Sequence, residues 1–332
     1  MIRLFFSALV SAFTIVGGVI GAGFITGKEI QVFFCEDLSL SGLYLTCLCF
    51  TLSIFLIMSF SFNDIAKRVL GTFISVANIV IAGCMFSALE KVYSHMFSNV
   101  KNIVLLQITT AIFVFFISSR GIGAVGKINV ALIPIVIIVV VILGLKYTVP
   151  KTADLSPKTL KGVVNPIVYV GFNIILSFTV IKNSGEKLSP PFKLLSSFIT
   201  ALILCLLISI ISVAIFFSSK NQDMPFVSLF ENNVKLFIII DIITLFAILT
   251  TYVSALYTAF DFGGIRLNLR WKTLLFLLTL SISNLGFSKI IDTVYPLIGA
   301  VGFLLLLIIC LLLKIFQVMR RARTLRLLKH KE

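Results

Sequence analysis

The chain has 332 residues, 59% of them hydrophobic and 12% charged, with a formal net charge of +15. Soluble domains run at roughly 45–50% apolar and about 25% charged, so this composition excludes one. Apolar runs of about 20 residues, each enough to cross a hydrocarbon core of ~30 Å, recur along the chain. The ~10-residue alternating segments of a membrane β-barrel are missing.

The expected fold class is therefore an all-α polytopic membrane protein with ten transmembrane helices. In chain order the spans are predicted over residues 5–34, 39–62, 72–93, 102–119, 127–148, 163–182, 192–217, 234–260, 272–287 and 291–314. The first follows Arg3 and carries five glycines, Gly17, Gly18, Gly21, Gly23 and Gly27, in "TIVGGVIGAGFITGKEI". Its apolar run continues through them to Phe34, which argues for a span and against a cleaved signal peptide. The sixth span holds Pro166, Gly171 and Asn173 in "GVVNPIVYVGFNIILSF". Two outer loops, 150–162 and 218–233, are long enough to act as gates or lids. Residues 1–317 form one transmembrane domain, and 318–332 a basic tail, either a surface helix on anionic lipid or a solvated end.

Charge sets the orientation. With both termini cytoplasmic, every arginine falls on the inner side, as the positive-inside rule requires. The basic balance is thus topological, and no basic stripe interleaved with aromatics points to nucleic acid. Six cysteines form no CxxC pair, and His95 and His330 are the only histidines. There is no HExxH, no GxSxG with a histidine partner and no pair of catalytic aspartates, so the sequence does not read as an enzyme.

Ten spans divide into two halves of opposite orientation, about 1–149 and 163–317. Helix-interrupting residues then fall at matching places, in span 1 and span 6, the pattern that marks a transporter binding site. Both helices are expected to be broken mid-membrane. In hydrocarbon, every backbone N–H and C=O needs a partner, so a break must face protein, water or ligand. The half-helix after it offers N–H groups to an anion, and the half before it offers carbonyls to a cation. The bland alternative is close helix packing, since Gly17/Gly21 and Gly23/Gly27 are each four apart.

"GGVIGAGFITGKEI" resembles the opening signature of the YkvI-like bacterial amino-acid permeases, in the amino acid–polyamine–organocation superfamily of LeuT-fold transporters. "FAILTTYVSALYTAF" (246–260) is similar to the LeuT-fold stretch that completes a sodium site. The resemblance implies a sodium cage of the Gly17, Ile20 and Ala247 carbonyls and the Thr250 and Thr251 hydroxyls. It implies a substrate carboxylate on the N–H groups of Gly21 and Gly23. Tyr169, Gly171 and Asn173 would join from span 6, and Ser87 or Met85 from span 3. Proton-coupled relatives replace the sodium with a lysine of span 5, whose middle here has none. Lys127 lies too near the cytoplasmic end, which tilts the reading toward sodium.

Charges inside a span are functional candidates by default. Asp292 resembles the acidic outer-gate residue of the fold, and Lys28 is its candidate partner, with snorkelling to the interface as the rival. Glu29 is a candidate proton carrier or second cation ligand. The expected function is sodium-coupled symport of a small amino acid by alternating access in the bacterial cell (inner) membrane. A proton-coupled permease and an amino-acid sensor like a germinant receptor remain as alternatives. Sodium and the amino acid are the expected ligands, with no other cofactor.

Overall fold

The computed structural model describes residues 2–37, 39–97, 102–120, 123–146, 159–186, 188–216 and 222–329. The loop stretches 150–158 and 218–221 and tail residues 330–332 lie outside the described residues, as do the side chains of Lys127 and of residues 318–329.

The first apolar run folds as three helices: α1 (Ile2–Val19), α2 (Ala22–Ile25) and α3 (Lys28–Phe34). Gly21 takes an extended conformation (φ −111°, ψ −173°), and Gly27 a left-handed one (φ 76°) that only glycine adopts without steric cost. Next comes α4 (Leu40–Ser59), capped by the Ser39 hydroxyl, which accepts the Gly42 N–H at 3.1 Å. The last carbonyls of α4 accept from lysines: Lys182 Nζ donates to Phe60 O at 2.6 Å and Lys193 Nζ to Met58 O at 2.8 Å. Cations suit a helix C-terminus, where unpaired carbonyls gather negative charge.

Helix α5 (Asp64–Met96) has 33 residues and begins earlier than predicted, because Asn63 caps it through the Ala66 N–H at 2.8 Å. Then follow α6 (Ile103–Arg120), α7 (Gly123–Lys146), α8 (Lys161–Leu176), α9 (Phe178–Gly185), α10 (Pro190–Ala214), the short α11 (Pro225–Ser228) and α12 (Val234–Phe260). A hairpin, β1 (Asp261–Phe262) and β2 (Ile265–Arg266), departs from the all-α expectation. Its turn residues Gly263 and Gly264 have φ of 61° and 87°, as a two-residue hairpin turn requires. After α13 (Leu269–Ser283), the chain runs through α14 (Phe287–Lys289) and a π-helical turn (Ile290–Val294) into α15 (Tyr295–Lys329).

By length and apolarity, six described helices are able to cross a membrane: α4, α5, α6, α10, α12 and the stretch Phe287–Ile315. A seventh span forms if α8 and α9, bent by 69°, count as one. Arg3–Val19 and Pro134–Lys146 are shorter apolar helices. The bundle is held by long pairings of α5 with α12 and α13, α15 with α8, and α10 with α4 and α1. Many outward side chains are large and apolar, such as Phe6, Leu48, Phe113 and Leu304. A membrane, not water, is the solvent that such a surface suits.

Candidate functional site

Two interruptions divide the first span, and they have different surroundings. At the second, the Thr26 carbonyl accepts the Phe226 N–H of α11 at 2.9 Å. A Cβ at Gly27 would stand 2.8 Å from the Phe226 Cβ. That break is sealed by protein, through the described part of the loop expected to be a gate.

The first break faces a cavity of about 320 Å³. Helical bonding last runs from the Ile20 N–H to the Val16 carbonyl at 2.9 Å and resumes from the Ile25 N–H to the Gly21 carbonyl at 3.2 Å. Among the described residues, neither the Gly21 N–H nor the Ile20 carbonyl has a backbone partner. The Gly17 carbonyl thereby loses the N–H that would continue the helix. The Ala22 N–H is taken instead by the Thr251 hydroxyl of α12 at 3.3 Å.

The predicted interruption of span 6 lies beside Pro166, Gly171 and Asn173. The structure corrects this, since the bend falls at Ser177, between α8 and α9. Pro166 sits in the second turn of α8, where it forfeits one ladder bond and the helix continues. The Ser177 hydroxyl is buried without a hydrogen-bond partner and lines the cavity. It lies 3.4 Å from where a Cβ at Gly18 would be. The two interrupted helical stretches therefore meet, small residue against small residue.

Of the expected sodium ligands, Gly17, Ile20, Ala247, Thr250 and Thr251 all line this cavity. The Thr250 hydroxyl donates to the Ala247 carbonyl at 3.1 Å, so two expected ligands already touch. Gly21, Gly23, Asn173 and Glu29 also line it. The Asn173 amide donates to the Tyr169 carbonyl at 3.0 Å, within its own helix.

The other expected substrate contacts are not brought to the cavity. Tyr169 is fully buried among Phe33, Phe34 and Phe50, with ring centroids 5.1–6.2 Å away. Gly171 lies against α15, where a Cβ would stand 2.5 Å from the Gly299 carbonyl and 2.6 Å from the Phe303 Cβ. It is a helix-packing glycine. Ser87 is buried in α5 away from the lining, whereas Met85 does line it. A helix shows one face at a time, and depth along span 3 carries no information about which face.

Sequence reasoning missed Ser177 and the stack of Phe172 on Tyr295, at 4.4 Å and 25°, which also lines the cavity. Ser177 follows Asn173 by four residues, the spacing that puts both on one helix face, and that signal was available.

Lys28 Nζ lies 3.3 Å from Asp292 Oδ1 and 3.3 Å from Gln31 Oε1. Lys28 is 2% exposed and Asp292 45%. The pair joins α3 to the π-helical turn. A second cavity, of about 480 Å³, lies at this pair and is also lined by Glu36 and Lys161.

A further ion pair ties the loop of α11 to the bundle. Asp223 meets Lys91 Nζ of α5 at 3.0 Å and accepts the Ser288 hydroxyl of α14. Burial alone would raise the Asp223 carboxyl, but the Ser288 and Lys91 hydrogen bonds and the Lys91 charge hold it below its ordinary value. A depressed carboxylate adds stability above the unfolded-state pKa and loses it as pH falls through the folded one. Asp223→Asn is therefore expected to lower the melting temperature slightly at neutral pH, by less than ~1 kcal/mol for a half-exposed pair. The difference from wild type should shrink below about pH 4, as a pH series of melting curves would show.

The fold and this site define a class, a polytopic membrane protein with a transporter fold. In a comparison with solved structures, the chain is similar to a crystal structure of a manganese transporter from Eremococcus coleocola, in complex with an aromatic bis-isothiourea substituted compound. The TM-score is 0.53 at 13% identity, over 94% of this chain and 86% of that one. At that identity the likeness shows the fold alone, and it is to a transporter. No protein-family model and no curated protein matches the chain.

Proposed function

We propose that the chain is a secondary active transporter that carries a small amino acid by alternating access, with sodium as the coupling ion. The observation that carries this reading is the meeting of two interrupted helical stretches, α1–α2 and α8–α9, at one cavity. In hydrocarbon, unwound backbone is tolerated only where it lines a cavity or is buried in protein. A break facing a polar cavity at the contact of two spans is the device by which transporters hold ions and substrates near the membrane midplane.

Hard oxygen donors favour a hard cation. The lining offers carbonyls, the Thr250 and Thr251 hydroxyls and one carboxylate, with no imidazole or thiol among the described lining residues. That donor set suits a hard cation, sodium or a divalent ion such as manganese, and the resemblance to the YkvI-like permeases favours sodium. In this reading α1–α3 and α8–α9 are the first and sixth of ten spans in two inverted halves, as the resemblance to the YkvI-like permeases implies. Lys28 and Asp292 form the outer gate, and the protein works in the bacterial cell membrane with both termini cytoplasmic. Proton coupling is the second reading, favoured by Glu29, whose carboxyl lines the cavity.

The test is uptake of each of the twenty protein amino acids into proteoliposomes. An inward sodium gradient should drive accumulation of at least one, and sodium replaced by choline should abolish it. Uptake driven by a proton gradient without sodium would transfer the reading to Glu29. No gradient-driven uptake of any amino acid would overturn it.

A further inference from the structure

Glu29 lies in the first turn of α3 and is 6% exposed, and its carboxyl lines the cavity at the break. It occupies the space that a Cβ at Gly23 would take. No hydrogen bond or ion pair reaches that carboxyl among the described residues. Its neighbour Lys28 is directed to Asp292 instead. The described cavity lining contains no lysine, arginine or histidine. A buried carboxylate without a cation is costly, so either a proton or a cation from outside the chain must neutralise it.

The carboxyl group also stands against Gly23, one of the two glycines that the resemblance assigns to the substrate carboxylate. Two carboxylates at one place repel. The other glycine, Gly21, lies beside Thr251, where a Cβ would be 3.6 Å from the hydroxyl oxygen. Gly21 and Gly23 are two residues apart, at most ~7 Å of chain. The cavity thus has an acidic end at Gly23 and Glu29 and a hydroxyl and carbonyl end at Gly21 and Thr251, both on one short stretch of the first apolar run. A second unpartnered group, the Ser177 hydroxyl, also lines the cavity.

We infer that Glu29 is the receptor for the ammonium group of the substrate, so that the site selects molecules carrying a primary amine and directs their carboxylate toward Gly21 and Thr251. This rests on the amino-acid transport reading above and deepens it. Charge balances when the carboxylate of Glu29, a zwitterionic substrate and one sodium ion are present together. Titratable groups near Glu29 are Cys84 of α5, Tyr169 of α8 and Tyr295 of α15. None of them is cationic in either protonation state, so none substitutes for the ammonium.

The experiment measures binding to detergent-purified protein, in sodium chloride, by the shift in melting temperature as ligand is titrated. The probes are the twenty amino acids and, for any that bind, the matching primary amine and the matching 2-hydroxy acid. The variants are Glu29→Gln and Glu29→Asp, with a monodisperse elution profile as the check on folding. In the wild type, the amine should bind and the hydroxy acid should bind at least tenfold more weakly than the amino acid. Glu29→Gln should weaken the amino acid and the amine by tenfold to a hundredfold, and Glu29→Asp should recover part of that loss. Equal affinity of Glu29→Gln and wild type for the amino acid would overturn the inference and leave the transport site standing. So would a hydroxy acid that binds as tightly as its amino acid. If no amino acid shifts the wild type at all, the transport-site reading falls, and this inference with it.

Discussion

Replacing Thr251 by valine is expected to erase the stabilisation that sodium gives to the purified protein. At one hundred times its Kd, a ligand of the folded state adds about 2.7 kcal/mol. Melting temperatures in sodium chloride and in choline chloride should therefore differ clearly for the wild type and coincide for Thr251→Val. Valine keeps the shape of threonine but has no oxygen. It also removes the acceptor of the Ala22 N–H, a contact of 3.3 Å that ties α2 to α12. A donor left unpaired there costs about 1–3 kcal/mol irrespective of sodium. The prediction therefore concerns the difference between the two salts and not the melting temperature itself. Thr251→Ser retains the oxygen and should retain both effects. A sodium shift that survives in Thr251→Val would mean that the residue is a strut between spans and that the cation, if bound, lies elsewhere.

Gly171→Val is expected to be the most damaging single change to stability. The α8–α15 contact brings backbone against backbone. A Cβ at Gly171 would stand 2.5 Å from the Gly299 carbonyl, and one at Gly299 would run into the Val168 carbonyl. Overpacking against side chains typically costs 1–3 kcal/mol. Here the obstacle is main chain, which yields only by separating two helices, so about 3 kcal/mol or more is expected, in the range reserved for core disruption. Gly171→Ala should lose stability too, by less, and Gly299→Ala likewise. Melting temperature and the monodisperse fraction on gel filtration measure it. If Gly171→Ala melts with the wild type but loses amino-acid binding, the glycine serves a ligand after all and the contact with α15 is looser than described.

Lys28 and Asp292 were paired from sequence by resemblance to an outer gate, and they lie 3.3 Å apart in space. The expected sodium ligands were likewise drawn from two segments more than 200 residues apart, and all five line one cavity. In both cases the readable signal was the resemblance to LeuT-fold segments, since three of the five expected sodium ligands are backbone carbonyls that no side chain marks.

From the residues alone, the chain reads as a membrane protein of apolar helices whose first apolar run, with five clustered glycines, is the expected place for an interruption. The length of the apolar runs and the clustering of glycines are local properties, and the bilayer leaves the backbone few alternatives. Which break is open depends on contacts made across the bundle. Gly27 and Gly21 are both helix interrupters, yet Phe226, about 200 residues away in sequence, seals one, and the cavity takes the other. Those contacts also decide that span 6 bends at Ser177 and not at its proline, that Gly171 packs a neighbouring helix, and that Tyr169 is enclosed by phenylalanines. These depend on which face of a helix meets which neighbour. A glycine between two backbones and a glycine beside a ligand have the same side chain, and what stands opposite is set by helices far off in the chain.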